Sequence, residues 1–411
     1  MDHQKPVQPA LQKAAGRTSP FASRMAKTPK SFIREILKVT EDPRIISFAG
    51  GLPSPDLIDV MGITRAAEQV LAEEGKTVLQ YSTTEGYLPL RQFIADRYKK
   101  RLGLDIPTDE ILITNGSQQC LDLIGKIFID AGDSIAIERP GYLGAIQAFS
   151  LYEPRFHPVT LYDDGPDIAM LAGIVGEFRP KFFYGVPNSQ NPSGITYSAE
   201  RRREVAAILA GTGTSIVEDD AYGELNFAGT SLPSFREYLP DQTIITGSFS
   251  KILAPGMRLG WIVAPKDVME QVVIAKQASD LHSNSLSQRI AYEYLSHADI
   301  DSHIRKIQSV YGNRCRLMQE LIRKQFPKSV RCTRPEGGMF VWVTLPDGIS
   351  SMEVFNAAIK EQVAVLPGIP FYIDGGGDNT LRINFSNSSE EKIREGIGRL
   401  ARVIRNLDGI N

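Results

Sequence analysis

Between about residue 60 and residue 290 the chain alternates short apolar runs with longer amphipathic segments. The runs are "ILIT" from 111, "SIAIE" from 134, "KFFYGVP" from 181, "TSIVEDD" from 214, "TIITGSFS" from 243 and "LGWIVAP" from 259. Short runs rich in β-branched and aromatic residues predict strands. "SQQCLDLIGKIF" and "AERRREVAAILA", which lie between runs, carry helical periodicity. Alternation on this scale predicts an α/β domain with a mostly parallel sheet. A long amphipathic stretch over about 286–326 is followed by "GGMFVWVTLP", "VAVLPG" and "LRINFS", which predict a second, smaller α/β unit. Near the start, "TPKSFIREILKV" predicts a short helix capped by Thr28, with Pro29 in its first turn and an apolar stripe of Phe32, Ile33, Ile36 and Leu37. "GGLPSPD" (50–56) predicts a loop.

Composition narrows the function classes. The 411 residues, 42% hydrophobic and 23% charged, suit a soluble globular chain of two or three domains with a large core. A net charge of -2 supplies no global basic field for nucleic acid or for an anionic membrane. Three cysteines (Cys120, Cys315, Cys332) are too few for a disulfide framework and favour a reducing compartment, the cytoplasm. No apolar run reaches the length of a membrane span, and no secretory apolar core opens the chain. The first thirty residues are basic, with Asp2 their one carboxylate. Pro6, Pro9 and Gly16 interrupt an amphipathic helix there, so a flexible leader is expected rather than a transit peptide.

The candidate chemistry sits at strand ends. Ligands of open α/β sheets gather outside the carboxyl ends of the strands, and four polar clusters fall there: "TNGSQQ", "PNSQNPSG", "EDDAYGE" and "SFSK". Gly116-Ser117 opening a helix is either a cap or an anion site. Ser248, Ser250 and the guanidinium of Arg258 add phosphate-binding groups. Neither a P-loop nor a dinucleotide fingerprint is present. Lys251 is either a surface lysine at a strand end or a lysine held in a partly dry pocket as a Schiff-base nucleophile. Asp219 is either a turn residue or a carboxylate that keeps a cofactor's pyridine nitrogen protonated. Asn191-Pro192-Ser193-Gly194 reads as a turn, and with Tyr222 as a pair of donors to a ring oxygen. The five histidines all fall outside these clusters, so neither a His-based hydrolase nor a metal site is expected.

N-P-x-G at Asn191, D-x-x-Y at Asp219 and Tyr222, and S-x-S-K at Lys251 with Arg258 seven positions later resemble the pyridoxal-phosphate (PLP) aminotransferases of fold type I. "ISFAGGLPSPD", "QYSTTEGYLPLR", "TNGSQQ", "VPNSQNPSG", "SFSK" and "LRINFS", in that order, are similar to the kynurenine/2-aminoadipate aminotransferase branch of class I/II. The likeness runs from about residue 21 to the C-terminus. It implies a large domain with a mostly parallel seven-stranded sheet between helices, and a smaller α/β domain. The implied division is a leader (1–20), an N-terminal part of the small domain with an active-site arm (21–60), a PLP-binding domain (61–297) and a C-terminal small domain (298–411).

By the resemblance, Lys251 would carry the cofactor's internal aldimine and move the Cα proton. Asp219 would hold the pyridine N–H, Asn191 and Tyr222 would contact the ring oxygen, and Tyr142 would stack on the ring. Phosphate contacts would fall on Ser117, Gln118, Ser248, Ser250 and Arg258, with Tyr81 reaching in from the partner subunit of a homodimer with shared active sites. Arg382 would clamp the substrate α-carboxylate, and Gly51 would allow the substrate close approach. Arg34 is either a reader of a distal acidic group or a solvated helix residue. The activity implied is amino-group exchange between an aromatic, 2-aminoadipate-like or other bulky L-amino acid and a 2-oxo acid, with 2-oxoglutarate foremost, by a ping-pong route. Two positions depart from the usual pattern: Ser193 replaces threonine, and Gly223 replaces a tyrosine, which bears on packing near the ring. The rival readings are a PLP-dependent lyase or decarboxylase, and the effector domain of a transcription regulator, which needs a winged-helix module ahead of residue 21.

Overall fold

Eight strands form the central sheet, in the spatial order Ile111–Thr114, Gly260–Val263, Thr243–Ser248, Ser215–Asp219, Phe182–Gly185, Ser134–Arg139, Arg155–Tyr162, Gly165–Pro166. The structure is a computed structural model and describes residues 20–27, 42–229 and 231–409. After β1 (Ile46–Ser47), the sheet comprises β2 (Ile111–Thr114), β3 (Ser134–Arg139), β4 (Arg155–Tyr162), β5 (Gly165–Pro166), β6 (Phe182–Gly185), β7 (Ser215–Asp219), β8 (Thr243–Ser248) and β9 (Gly260–Val263). β9 is antiparallel to both β2 and β8, and β5 is antiparallel to β4, while the other pairings are parallel. The sheet thus has one strand more than the expected seven, the extra one being the two-residue edge strand β5.

All six apolar runs became strands because both sheet faces are covered, which favours continuous apolar sequence over strict alternation. Along β6, Phe182 and Tyr184 join the core beneath one face, with Leu121 and Ile124 of the helix Ser117–Phe128. Phe183 points to the other face, against Leu171, Val205 and Leu209 of the helices Ile168–Phe178 and Ala199–Leu209. β4 was not among the expected strands. Pro158 interrupts it and most of its residues are only partly buried, so its pattern reads as loop, and it lies next to the sheet's short edge strand.

The amphipathic stretch over 286–326 is two helices, Ser285–His297 and Ile300–Gln325, the second capped by Asp299 accepting from Ser302 N. Beyond it lie β10 (Arg331–Cys332), β11 (Phe340–Thr344), β12 (Val363–Ala364), β13 (Leu366–Pro367) and β14 (Thr380–Asn384). An antiparallel sheet of order β10-β11-β14-β13 puts Arg382 in its middle. β1 pairs in parallel with β12, and Asn384 N donates to Phe48 O at 2.9 Å. The segment 46–51 is therefore stitched to the C-terminal sheet, which carries Gly51 to the mouth of the site described next. The helix expected over 28–39, Arg34 within it and most of the leader lie outside the described residues.

Candidate active site

A cavity of about 280 Å³ opens at the carboxyl ends of β2, β6, β7 and β8, and every expected site residue among those described lines it except Tyr81. A larger groove of about 1170 Å³, between Arg323, Arg331 and Trp342, contains none of them.

One corner of the cavity suits an anion. Gly116 caps the helix Ser117–Phe128 at φ +80°, a left-handed conformation that glycine adopts without penalty. A Cβ on Gly260 of β9 would lie 2.7 Å from Ser117 N, so that glycine is what lets the helix start seat on the sheet. The first-turn N–H groups of a helix lack intrahelical partners and favour negative charge. Gln118 Nε2 donates to Gly144 O at 2.9 Å, and Ser250 N donates to Ser248 Oγ at 3.1 Å. Arg258 Nη2 donates to Asn115 O at 3.3 Å, which holds the guanidinium over this turn.

On the floor, Asp219 ends β7, 3% exposed. Its Oδ2 accepts from the Tyr184 hydroxyl at 2.6 Å, while Oδ1 is buried without a hydrogen-bond partner. Burial raises the pKa of this carboxyl to about 6, partly opposed by polar neighbours, the Tyr184 hydroxyl first. Lys251 donates to Gly51 O at 3.2 Å. Burial first, then the charges of Arg382 and Arg258, lower its ammonium pKa to about 8. The lysine is thus a cavity residue, not a solvated one.

Asn191 bridges two other expected groups. Its Oδ1 accepts from Arg382 Nη1 at 2.9 Å, and its Nδ2 donates to the Tyr222 hydroxyl at 3.4 Å. Arg382 Nη2 donates to Ala49 O at 2.8 Å, and the guanidinium lies 4.2 Å from the centre of the Phe340 ring. Burial lowers the Arg382 pKa to about 10, still a cation at neutral pH. Tyr142 caps the helix Leu143–Ser150, and burial pushes its hydroxyl up to about 12.

The turn that presents Asn191 is fixed from behind. Gln190 Oε1 accepts from Ser193 N at 2.7 Å and from Ser193 Oγ at 2.6 Å, so the serine keeps the hydroxyl's structural contact. Gln190 Nε2 in turn donates to the buried Glu138 at 3.0 Å. At Gly223 a Cβ would fall 2.2 Å from Asp220 Oδ1, so the tyrosine of the usual pattern would need the Asp220 carboxylate to move away from Asn188, which donates to it at 2.7 Å.

Tyr81 stands apart: its side chain is 79% exposed and rests edge-on against His282, with ring centres 5.8 Å apart. The sequence reading missed Val186, Ala221 and Phe340 on the cavity wall, and Tyr184 beneath Asp219. Tyr184 and Phe340 sit inside apolar strand runs, where an aromatic reads as core. Only the position of Ala221, two residues past Asp219, marked it as a neighbour of the site.

Taken together, the cavity has an anion corner, a buried carboxylate oxygen lacking a donor, aromatic walls and a depressed lysine. An orphaned buried acceptor calls for a partner N–H, and a phosphorylated pyridine ring supplies both that donor and the anion. The residues present fit pyridoxal 5′-phosphate. A family model described as aminotransferase class I and II matches residues 49–400. A 2-aminoadipate transaminase of Thermus thermophilus is 41% identical over 391 residues, covering 94% of this chain and 97% of that protein. An aromatic-amino-acid aminotransferase of Thermococcus litoralis is 40% identical over 391 residues, covering 94% of each. A solved α-aminoadipate aminotransferase of Thermus thermophilus, complexed with N-(5′-phosphopyridoxyl)-L-leucine, superposes with a TM-score of 0.89 at 40% identity, over 95% of this chain and 98% of that one. The chain therefore belongs to the class I and II aminotransferases, PLP-dependent enzymes of fold type I.

Proposed function

We propose that this enzyme exchanges the amino group of an aromatic, 2-aminoadipate-like or other bulky L-amino acid with a 2-oxo acid, 2-oxoglutarate foremost, by a ping-pong route centred on Lys251. The observation that carries this reading is Lys251 itself, a partly buried amine lowered to about 8 that shares one cavity with the half-satisfied Asp219 and the guanidinium of Arg382. When bound, PLP supplies an electron sink for charge developing at the substrate Cα.

The chain's own groups do the rest. Asp219 Oδ1, at the end of β7, would accept the ring N–H. Asn191 and Tyr222 serve the ring oxygen, and Tyr142 packs on the ring face. Ser117, Gln118, Ser248, Ser250 and Arg258 hold the phosphate. Arg382 binds the α-carboxylate that all substrates share, with a second N–H on each Nη free for it. Gly51 leaves the substrate room beside Phe340, whose ring would be 3.2 Å from a Cβ there. With a pKa of about 8, roughly a tenth of Lys251 is neutral at pH 7, enough for a base that takes and returns the Cα proton.

The names of the two relatives support aromatic and aminoadipate-like substrates, as do the apolar walls of Val186 and Phe340. We further assign the working form as a homodimer in the cytoplasm, with Tyr81 of one copy completing the phosphate site of the other. Arg34 is assigned the distal acidic group of 2-aminoadipate-like substrates.

The test combines labelling with substrate exchange. Borohydride reduction of the loaded enzyme followed by peptide mapping should mark Lys251. A panel of amino acids should bleach the cofactor's visible band in the absence of any 2-oxo acid, and 2-oxoglutarate should restore it. A label on another lysine removes Lys251 from its role. Sustained turnover without a 2-oxo acid would replace transamination by elimination or decarboxylation.

A further inference from the structure

The turn at the anion corner is gripped from behind by side chains that do not line the cavity. Lys276, on the helix Lys266–Asp280, has no exposed side-chain surface. Its Nζ donates to Asp280 Oδ1 at 2.6 Å and to Gln119 Oε1 at 3.0 Å. Gln119 Oε1 also accepts from Asn115 N at 2.8 Å. The other carboxylate oxygen, Asp280 Oδ2, accepts from Gln119 Nε2 at 2.7 Å and from Asn115 Nδ2 at 2.6 Å. Residues 115 and 119 flank Gly116-Ser117-Gln118, so this closed network clamps both ends of the anion-binding turn.

An ordinary helix-end ion pair explains only part of it. A lysine four residues before an aspartate that ends the helix runs against the helix dipole and contributes little by itself. Removing an ammonium from water costs several kcal/mol unless its donors are satisfied. Here part of that satisfaction comes from another helix, and specifically from Gln119, whose second task is to hold the backbone N–H of Asn115. Asn115 is in turn the residue whose carbonyl anchors Arg258.

We propose that Lys276 and Asp280 are positioning residues for the phosphate site: they fix the backbone of Asn115–Gln118, and with it the enzyme's preference for a phosphorylated over an unphosphorylated cofactor. The proposal rests on the reading of this turn as the phosphate site. An anion site made of backbone N–H groups is strong only where the donors are held in place before the anion arrives. Ser117 and Gln118 present such donors, and the bond from Gln118 Nε2 to Gly144 O at 2.9 Å tethers one side of the turn only. The clamp supplies what they lack.

The experiment compares affinities for PLP and for pyridoxal, titrated into cofactor-stripped full-length protein. Lys276→Met and Asp280→Asn should each weaken PLP by about tenfold, the factor expected for one net hydrogen bond of ordinary strength. Pyridoxal affinity should stay within about twofold of wild type. Arg258→Leu serves as the control for the turn itself and should collapse the same preference. Equal weakening of both ligands, or no weakening of either, while Arg258→Leu collapses the preference, overturns the positioning role. If Arg258→Leu also leaves the preference intact, the phosphate reading of the turn fails, and the proposal with it. Should the buried Lys276→Met fail to fold, Asp280→Asn at a position 25% exposed keeps the comparison readable.

Discussion

The Tyr184 hydroxyl donates to Asp219 Oδ2 at 2.6 Å, leaving Oδ1 as the oxygen free to meet a ligand. The bond also opposes the burial that raises this carboxyl to about 6. Tyr184→Phe removes the largest part of that opposition, so Asp219 should hold its proton to higher pH. PLP uptake by the stripped protein needs the carboxylate, and its acid limb should move toward neutrality by about one pH unit. Binding titrations from pH 5 to 8 check this, and an unmoved limb would remove Tyr184 from any role beyond packing.

Asp219 should cost the ligand-free protein stability. Its folded pKa stands above that of the unfolded chain, about 6 against 3.8, so the unfolded state loses the proton first. Stability contributed here is present at low pH and declines as pH rises from about 4 to about 6, then stays flat. Asp219→Asn should therefore stabilise the ligand-free protein at pH 7 by up to about 3 kcal/mol, at 1.36 kcal/mol per unit. The same variant should lose most of its activity. Denaturant titrations at pH 4.5 and 7 measure it, and a variant less stable than wild type at pH 7 contradicts the burial account.

Arg382→Lys should raise KM for every amino acid by a similar factor, about 10- to 100-fold. Lysine cannot span Asn191 and Ala49 together, nor lie flat on Phe340. Steady-state kinetics on an aromatic, an aliphatic and an acidic substrate give the comparison. A loss confined to the acidic one would make Arg382 a reader of side chains.

Tyr81 does not line the site cavity of its own chain and is largely exposed. If it serves a neighbour, two dead variants should rescue each other. Tyr81→Ala and Lys251→Ala, dissociated and reassociated together, form mixed dimers with one site carrying both defects and one carrying neither. Activity should return in the mixture once each variant is shown inactive alone. Mixed dimers that form yet stay dead would assign Tyr81 to its own subunit.

Much of the site was legible because its chemistry is written in short motifs at strand ends. Asp219 and Lys251 sit where an apolar run stops, Asn191 four residues beyond one and Arg258 just before the next begins, so the runs and their ends predict both the strands and the cavity. Arg382 was legible by resemblance alone, since an arginine inside a strand carries no local mark. Groups acting through long-range contact left no such trace. Lys276 and Asp280 look like any i,i+4 pair until the fold brings Asn115 and Gln119 against them. Tyr184 hides in an apolar run, and β4 escaped notice because Pro158 breaks its pattern.

Immediately after Asp280 the backbone makes a γ-turn: Leu281 has φ +67° and ψ −58°, and His282 N donates to Asp280 O at 2.8 Å. This is a sparsely occupied conformation for a branched residue, costing about 1–3 kcal/mol. The turn has both ends employed, for Asp280 clamps the phosphate corner and His282 supports Tyr81. If Tyr81 belongs to the neighbouring site, that strained turn joins elements of two active centres through three consecutive residues. Occupancy of one would then be felt by the other, and cofactor loading would be coupled to assembly as a single linked equilibrium. Dilution alone would loosen the cofactor.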